Sequence, residues 1–92
     1  MKVIYKYAIT GLDVIAKMPA GAKILTVQTQ GVEPFIWALV DTDAPLVDRH
    51  LRLVPTGEPL NFVLGEYIGT VQFVADSFFL LVFHLFDQGE VS

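Results

Sequence analysis

The run Phe78-Phe79-Leu80-Leu81-Val82-Phe83-His84-Leu85-Phe86 constrains this chain more than any other stretch. Eight of its nine residues are large and apolar, and the exception is a histidine. A strand with one wet face alternates apolar and polar residues, and this run does not. Both of its faces therefore need cover, from the rest of the chain or from a second subunit. Phenylalanine and valine favour a strand over a helix. The run is also far shorter than the ~20 residues of a membrane-spanning helix. It is expected to be the central strand, with Val82 in the core or at an interface.

Other strands announce themselves by period two. Val3, Tyr5 and Tyr7 share one face and Lys2, Ile4 and Lys6 the other, the pattern of an edge strand whose lysines discourage sheet-to-sheet aggregation. Thr10-Gly11 is a turn, Leu12–Lys17 a short strand, and Met18-Pro19-Ala20-Gly21 a tight turn. In Ala22–Gln30, Leu25 and Val27 oppose Thr26, Gln28 and Gln30, a polar face that reads first as solvated and second as a binding surface. Gly31-Val32-Glu33 is a hairpin loop. Pro34–Asp41 is apolar on both faces and is expected beside the C-terminal strand or in an interface. Its Trp37 reads first as a core residue and second as a stacking platform.

Asp48–Val54 is the most polar strand, with Asp48, His50 and Arg52 on one face and Arg49, Leu51 and Leu53 on the other. In a chain with only six Lys and Arg residues, that polar face is the best local candidate for gripping an anion; an exposed strand in which Arg52 pairs with Asp48 is the alternative. Pro55-Thr56-Gly57-Glu58-Pro59 is a turn, and Leu60–Gly65 carries the chain across with little pattern. In Glu66–Val74, Tyr67, Val71 and Phe73 oppose Glu66, Ile68, Thr70 and Gln72, with Gly69 at a bulge or close approach. Ala75–Ser77 is a turn, and 87–92 is expected to be a frayed tail. Six or seven strands joined by turns, with no helix, predict one domain over 1–92: a small all-β antiparallel sandwich or barrel.

The apolar content is 53% in only 92 residues, more than so small a core absorbs. Some of it is expected to cover a subunit interface or a ligand pocket, so the chain is expected to be a homo-oligomer. A net charge of −4 argues against gripping a DNA or RNA backbone. The absence of cysteine excludes disulfides and thiolate metal sites. No signal-peptide pattern follows Lys2 and Lys6, so an intracellular, soluble protein with no membrane partner is expected.

Catalytic motifs are missing. Ser77 and Ser92 sit in no nucleophile elbow, the two histidines share no ligand spacing, and neither a Walker loop nor a dinucleotide fingerprint is present. Asp41, Asp43 and Asp48 lack the glycine and glutamate of a calcium loop. No metal, cofactor or catalytic residue is therefore expected. His84 breaks the apolar run and reads first as a satisfied core histidine; a functional His84 needs His50, Arg52 or Tyr67 nearby. The expected ligand-binding residues are Arg52, His50, Arg49, Trp37, Tyr67, Thr56 and His84.

Several stretches carry a resemblance: Met1-Lys2-Val3-Ile4-Tyr5-Lys6-Tyr7, Met18–Leu25 with Val27-Gln28, and Trp37-Ala38-Leu39-Val40-Asp41. Thr56-Gly57-Glu58-Pro59, Glu66-Tyr67-Ile68-Gly69-Thr70 and Val82-Phe83-His84-Leu85-Phe86 extend it across nearly the whole chain. In these the chain resembles a family of small bacteriophage and prophage proteins, a domain of unknown function. It departs at Glu58, where relatives tend to have histidine. The resemblance implies a phage origin and transfers no catalytic residues. It implies an accessory protein that counters a host defence function in the host cytoplasm by binding, either occupying a host protein or sequestering a nucleotide-like signal. A structural or morphogenetic phage component is the alternative, and a small phosphodiesterase using His50 and His84 a third.

Overall fold

The computed structural model describes residues 1–76 and 79–91. Among them the chain forms seven strands and no helix: β1 (Lys2–Ala8), β2 (Asp13–Pro19), β3 (Lys23–Gln30), β4 (Glu33–Asp41), β5 (Leu46–Pro55), β6 (Glu66–Asp76) and β7 (Phe79–Glu90). All pairings are antiparallel. One sheet has the order β1-β4-β3 and the other β2-β5-β7-β6. The two layers pack in a sandwich-like arrangement, as the strand spacing predicts. Of the apolar run, Phe78 lies outside the described residues, as do Ser77 of the expected turn and Ser92 of the expected tail.

Alternation decides what each strand buries. Ile36, Ala38 and Val40 of β4, Ile24 and Val27 of β3, Leu51 and Leu53 of β5, Val71 of β6 and Leu85 of β7 form one buried cluster with Met18. Met18, Ile36, Leu51 and Leu85 are fully buried, and each such side chain contributes about 1.5–3 kcal/mol. β1 is an edge strand, with Val3 and Tyr7 packed against the core. From its other face, the Lys6 ammonium sits 4.7 Å from the centroid of the Phe35 ring and donates to Gln30 Oε1 at 3.0 Å. Its aliphatic stem and charge thus cap part of the outer face of β4.

The apolar C-terminal run lies inside its sheet, between β5 and β6. Three expectations about its surroundings are corrected. β4 is not beside it: that strand sits between β1 and β3 in the other layer, because apolar residues on both faces do not say which sheet a strand joins. The tail is not frayed as far as Glu90. Asp87, Gly89 and Glu90 pair with Leu51, His50 and Arg49, and Val91 N donates to Asp48 O at 2.9 Å. Val82 is half-buried on the outer face, opposite Gln72, and not in the core.

β7 also dictates how the chain travels from β5 to β6. Both of those strands run antiparallel to β7, hence parallel to each other, and β7 stands between them. Pro55 is level with Phe83 and Glu66 with Asp87. The segment Thr56–Gly65 must therefore cross over β7, and it does so on the outer face of the sheet.

Candidate functional site

The crossover starts in a tight turn. Glu58 N donates to Pro55 O at 3.2 Å, and Gly57 stands at φ 88°, the left-handed value that the third position of a type II turn requires. Thr56 is tied to β7 by its own N–H, which donates to Val82 O at 3.1 Å. At the far end, Gly65 N donates to Gln88 Oε1 at 2.6 Å, and Gln88 Nε2 donates to Val63 O at 2.7 Å. Gln88 is free to do this because it is the unpaired residue of a bulge between the His50/Gly89 and Leu51/Asp87 pairs. In the middle, the Arg52 guanidinium lies 3.8 Å from the centroid of the Phe62 ring.

Between this crossover and the β6–β7 face lies a cleft of about 330 Å³. Its walls are Val54, Pro55, Leu60 and Phe86, its polar groups Thr56, Tyr67, Thr70 and His84, and Glu58 lines it as well. Tyr67 reaches the cleft through a second bulge. Tyr67 pairs with Phe86 and Gly69 with Leu85, leaving Ile68 extra and packed on the core. The expectation that Tyr67 shares a face with Val71 and Phe73 is thereby corrected: the inserted residue turns it to the side of Thr70, whose partner is His84. The Tyr67 and Phe86 rings lie 5.7 Å apart at 59°.

A chain of hydrogen bonds runs through the cleft. Tyr67 Oη meets Thr70 Oγ1 at 2.5 Å, Thr70 Oγ1 meets His84 Nδ1 at 2.9 Å, and His84 Nε2 meets Thr56 Oγ1 at 2.7 Å. The Thr56 hydroxyl donates to Val82 O at 3.3 Å. A carbonyl only accepts, and the directions of the other bonds follow the tautomer of His84. With the Thr56 hydrogen on Val82 O, Thr56 accepts from His84 Nε2–H; with it on His84 Nε2, the ring hydrogen sits on Nδ1 and points to Thr70. In the first arrangement Nδ1 accepts from Thr70, and Thr70 accepts from Tyr67. His84 is thus a half-buried residue of the outer face with both nitrogens satisfied, in place of the core histidine its apolar neighbours predict.

Of the sequence-predicted residues, Thr56, Tyr67 and His84 meet in this cleft. Arg52 lies next to it, opposite Phe86 in the register, and lines a second cleft of about 400 Å³ with Asp13, Asn61 and Phe62. The two clefts share Val54, Pro55 and Glu58. His50 points the same way as Arg52 but lies further along β5, bonded to Asp13 and lining neither cleft. That bond, ahead of the His50 and Arg52 charges, holds the Asp13 carboxyl below its ordinary range. Asp48 pairs with Lys17 at 2.6 Å and not with Arg52.

Arg49 and Trp37 stand apart from the site. Arg49 is buried on the inner face, where its Nε donates to Asp87 Oδ1 at 2.9 Å, its Nη2 to Oδ2 at 2.6 Å and its Nη1 to Ala22 O at 2.8 Å. Trp37 is half-buried on the outer side of the other sheet, with its ring 6.5 Å from Phe35. Sequence reasoning missed Thr70, Phe86, Phe62 and Glu58 as site residues. Phe86, two positions from His84 on an even strand, was the one with a legible signal.

No curated protein and no solved structure matches the chain. A family model matches from the first residue to the last, and the chain, over residues 1–92, belongs to DUF7352, a domain of unknown function.

Proposed function

We propose that this protein is a binding module, a phage-encoded accessory protein that holds a small ring-bearing molecule beneath the Thr56–Gly65 crossover. The ligand class is a nucleotide-like signal, which the protein withdraws from a host defence system in the host cytoplasm. The observation that carries the reading is the cleft itself. Apolar and aromatic walls surround a few convergent polar groups on rigid strands, the composition of small-molecule sites. Phe86 and Tyr67 offer ring surface, and Arg52, beside Phe86 in the sheet, offers charge for an anionic part.

Self-association belongs to the same reading. Leu80 and Val74, a cross-strand pair near the β6–β7 connection, are 57% and 54% exposed. A second copy of the chain is the simplest cover for them. Mass spectrometry of the native protein purified from phage-infected cells tests both points. The expected result is an even number of chains with a co-purifying small molecule that is lost in Thr70→Val. A ligand-free monomer would sink the proposal. A large open assembly without ligand would instead favour the structural or morphogenetic role, which the exposed apolar pair also fits.

A further inference from the structure

We infer that the cleft selects its ligand by accepting hydrogen bonds: the part that enters is a planar ring bearing an amino group, neutral or cationic, and not a phosphate. The inference rests on the cleft being a ligand site and names what that site takes. Its basis is the assignment of the His84 ring hydrogen to Nε2, made from the Thr56 contact with Val82 O, and the direction this gives the hydrogen-bond chain. The Thr56 hydrogen goes to Val82 O, the His84 Nε2 hydrogen to Thr56, the Thr70 hydrogen to His84 Nδ1 and the Tyr67 hydrogen to Thr70. In that tautomer every polar hydrogen of these four side chains is used inside the protein. What remains unused on these cleft-lining groups is lone pairs: two on Tyr67 Oη and one on each threonine oxygen.

Charge points the same way. Among the residues lining the cleft there is no Lys or Arg, and the one formal charge is the carboxylate of Glu58. An acceptor-lined wall with an acidic rim repels a phosphate and attracts N–H groups. The Tyr67 and Phe86 rings line the same cleft, tilted at 59° to each other, and aromatic faces favour an electron-poor or cationic ring. An exocyclic amine on a flat heterocycle meets all three conditions. A carbonyl in the same place would set acceptor against acceptor and leave both unpaired. Any anionic portion of such a ligand then lies outside this cleft, on the Arg52 side of the crossover.

Paired nucleosides that differ in the one group provide the test: adenosine against inosine, and cytidine against uridine, with inorganic phosphate as the anion probe. Dissociation constants come from calorimetry on the full chain, and the location from NMR signals of the His84 ring. Adenosine and cytidine are expected to shift the His84 signals and to bind roughly tenfold or more tighter than their deaminated partners, since the latter leave acceptors unmatched. Tyr67→Phe, an exposed position whose loss should leave melting unchanged, is expected to erase most of that preference. Inosine or uridine binding as well as the amino forms overturns the inference while leaving the cleft a ring site. So does phosphate displacing adenosine from His84, or a preference that survives Tyr67→Phe. If none of the four nucleosides moves the His84 signals, the ligand-site reading falls together with the inference.

Discussion

Arg49 shows how a side chain can be placed on the right face of its strand, with Leu51 and Leu53, while its partner stays hidden. It is a buried cation whose bidentate partner, Asp87, is buried beside it, and the pair is completed by Ala22 O and by Gly89 N donating to Asp87 Oδ1 at 2.9 Å. Removing one partner of such a pair leaves an uncompensated charge, whereas replacing both with apolar residues is often neutral. Arg49→Ala is therefore expected to cost about 3–5 kcal/mol in urea unfolding. The double variant Arg49→Met, Asp87→Leu should recover most of it. A single-variant cost near zero would mean that the pair is not buried in solution.

The same pair sets a pH dependence. Burial pushes the Asp87 carboxyl up, but the Arg49 hydrogen bonds, the Gly89 N–H and the Arg49 charge together outweigh it and hold the group below its ordinary range. A depressed carboxyl contributes stability that is fully present above its unfolded value of about 3.9 and is lost as pH falls through the lower folded value. Stability should thus decline below about pH 4, and the decline should be shallower in Asp87→Asn. Equal acid limbs in the two proteins would assign the decline to other carboxylates.

At the scale of elements, the crossover owes its place to strand order and its closeness to Gly65. A Cβ at that position would stand 2.0 Å from the backbone oxygen of Asp87. A backbone atom of an interior strand cannot swing aside, so Gly65→Ala has to lift the end of the crossover off β7. Such overpacking typically costs about 1–3 kcal/mol. It should also break the bonds of Gln88 with Gly65 and Val63 and open the cleft. Hydrogen exchange is the check: amide protection should drop at Gly65 and be retained in the β3–β4 hairpin. Unchanged protection at Gly65 would show that the crossover is not seated on β7. The Tyr67–Gly69 bulge works at the same scale, since one inserted residue moves the tyrosine from the core side to the cleft side.

For the whole molecule, the question is where an apolar content of 53% goes. The two inner faces take much of it, Lys6 covers part of the outer face of β4, and the crossover covers Val54. What is left uncovered includes Leu80, Val74 and Leu81, the last 37% exposed. Leu80 lies on the same face of β7 as His84 and Phe86, so a second copy docked there would stand near the cleft. Sedimentation at micromolar concentration is expected to give a dimer or larger species, and Leu80→Asp a folded monomer with little change in melting. A wild-type monomer would end the self-association proposal, and the exposed pair would then be ordinary surface.

Much of the architecture was legible because alternation is a local property. The lysine-faced edge strand, the two faces of Asp48–Val54, the Gly31-Val32 hairpin and the Pro55–Glu58 turn all follow from residues a few positions apart. The all-β class followed from the same patterns. Thr56, Tyr67 and His84, named from the sequence, do meet in one cleft, but the sequence set Tyr67 on the other face and His84 in the core. What alternation cannot express is which strand becomes whose neighbour. β4 and β7 read alike and went to different sheets; Arg49 found its carboxylate 38 residues away; and a bulge, visible only against a paired strand, decided the face of Tyr67. The cleft is the extreme case. It exists because β7 inserts between β5 and β6 and forces the intervening chain across its outer face. That is a consequence of long-range pairing, to which no single stretch of sequence testifies.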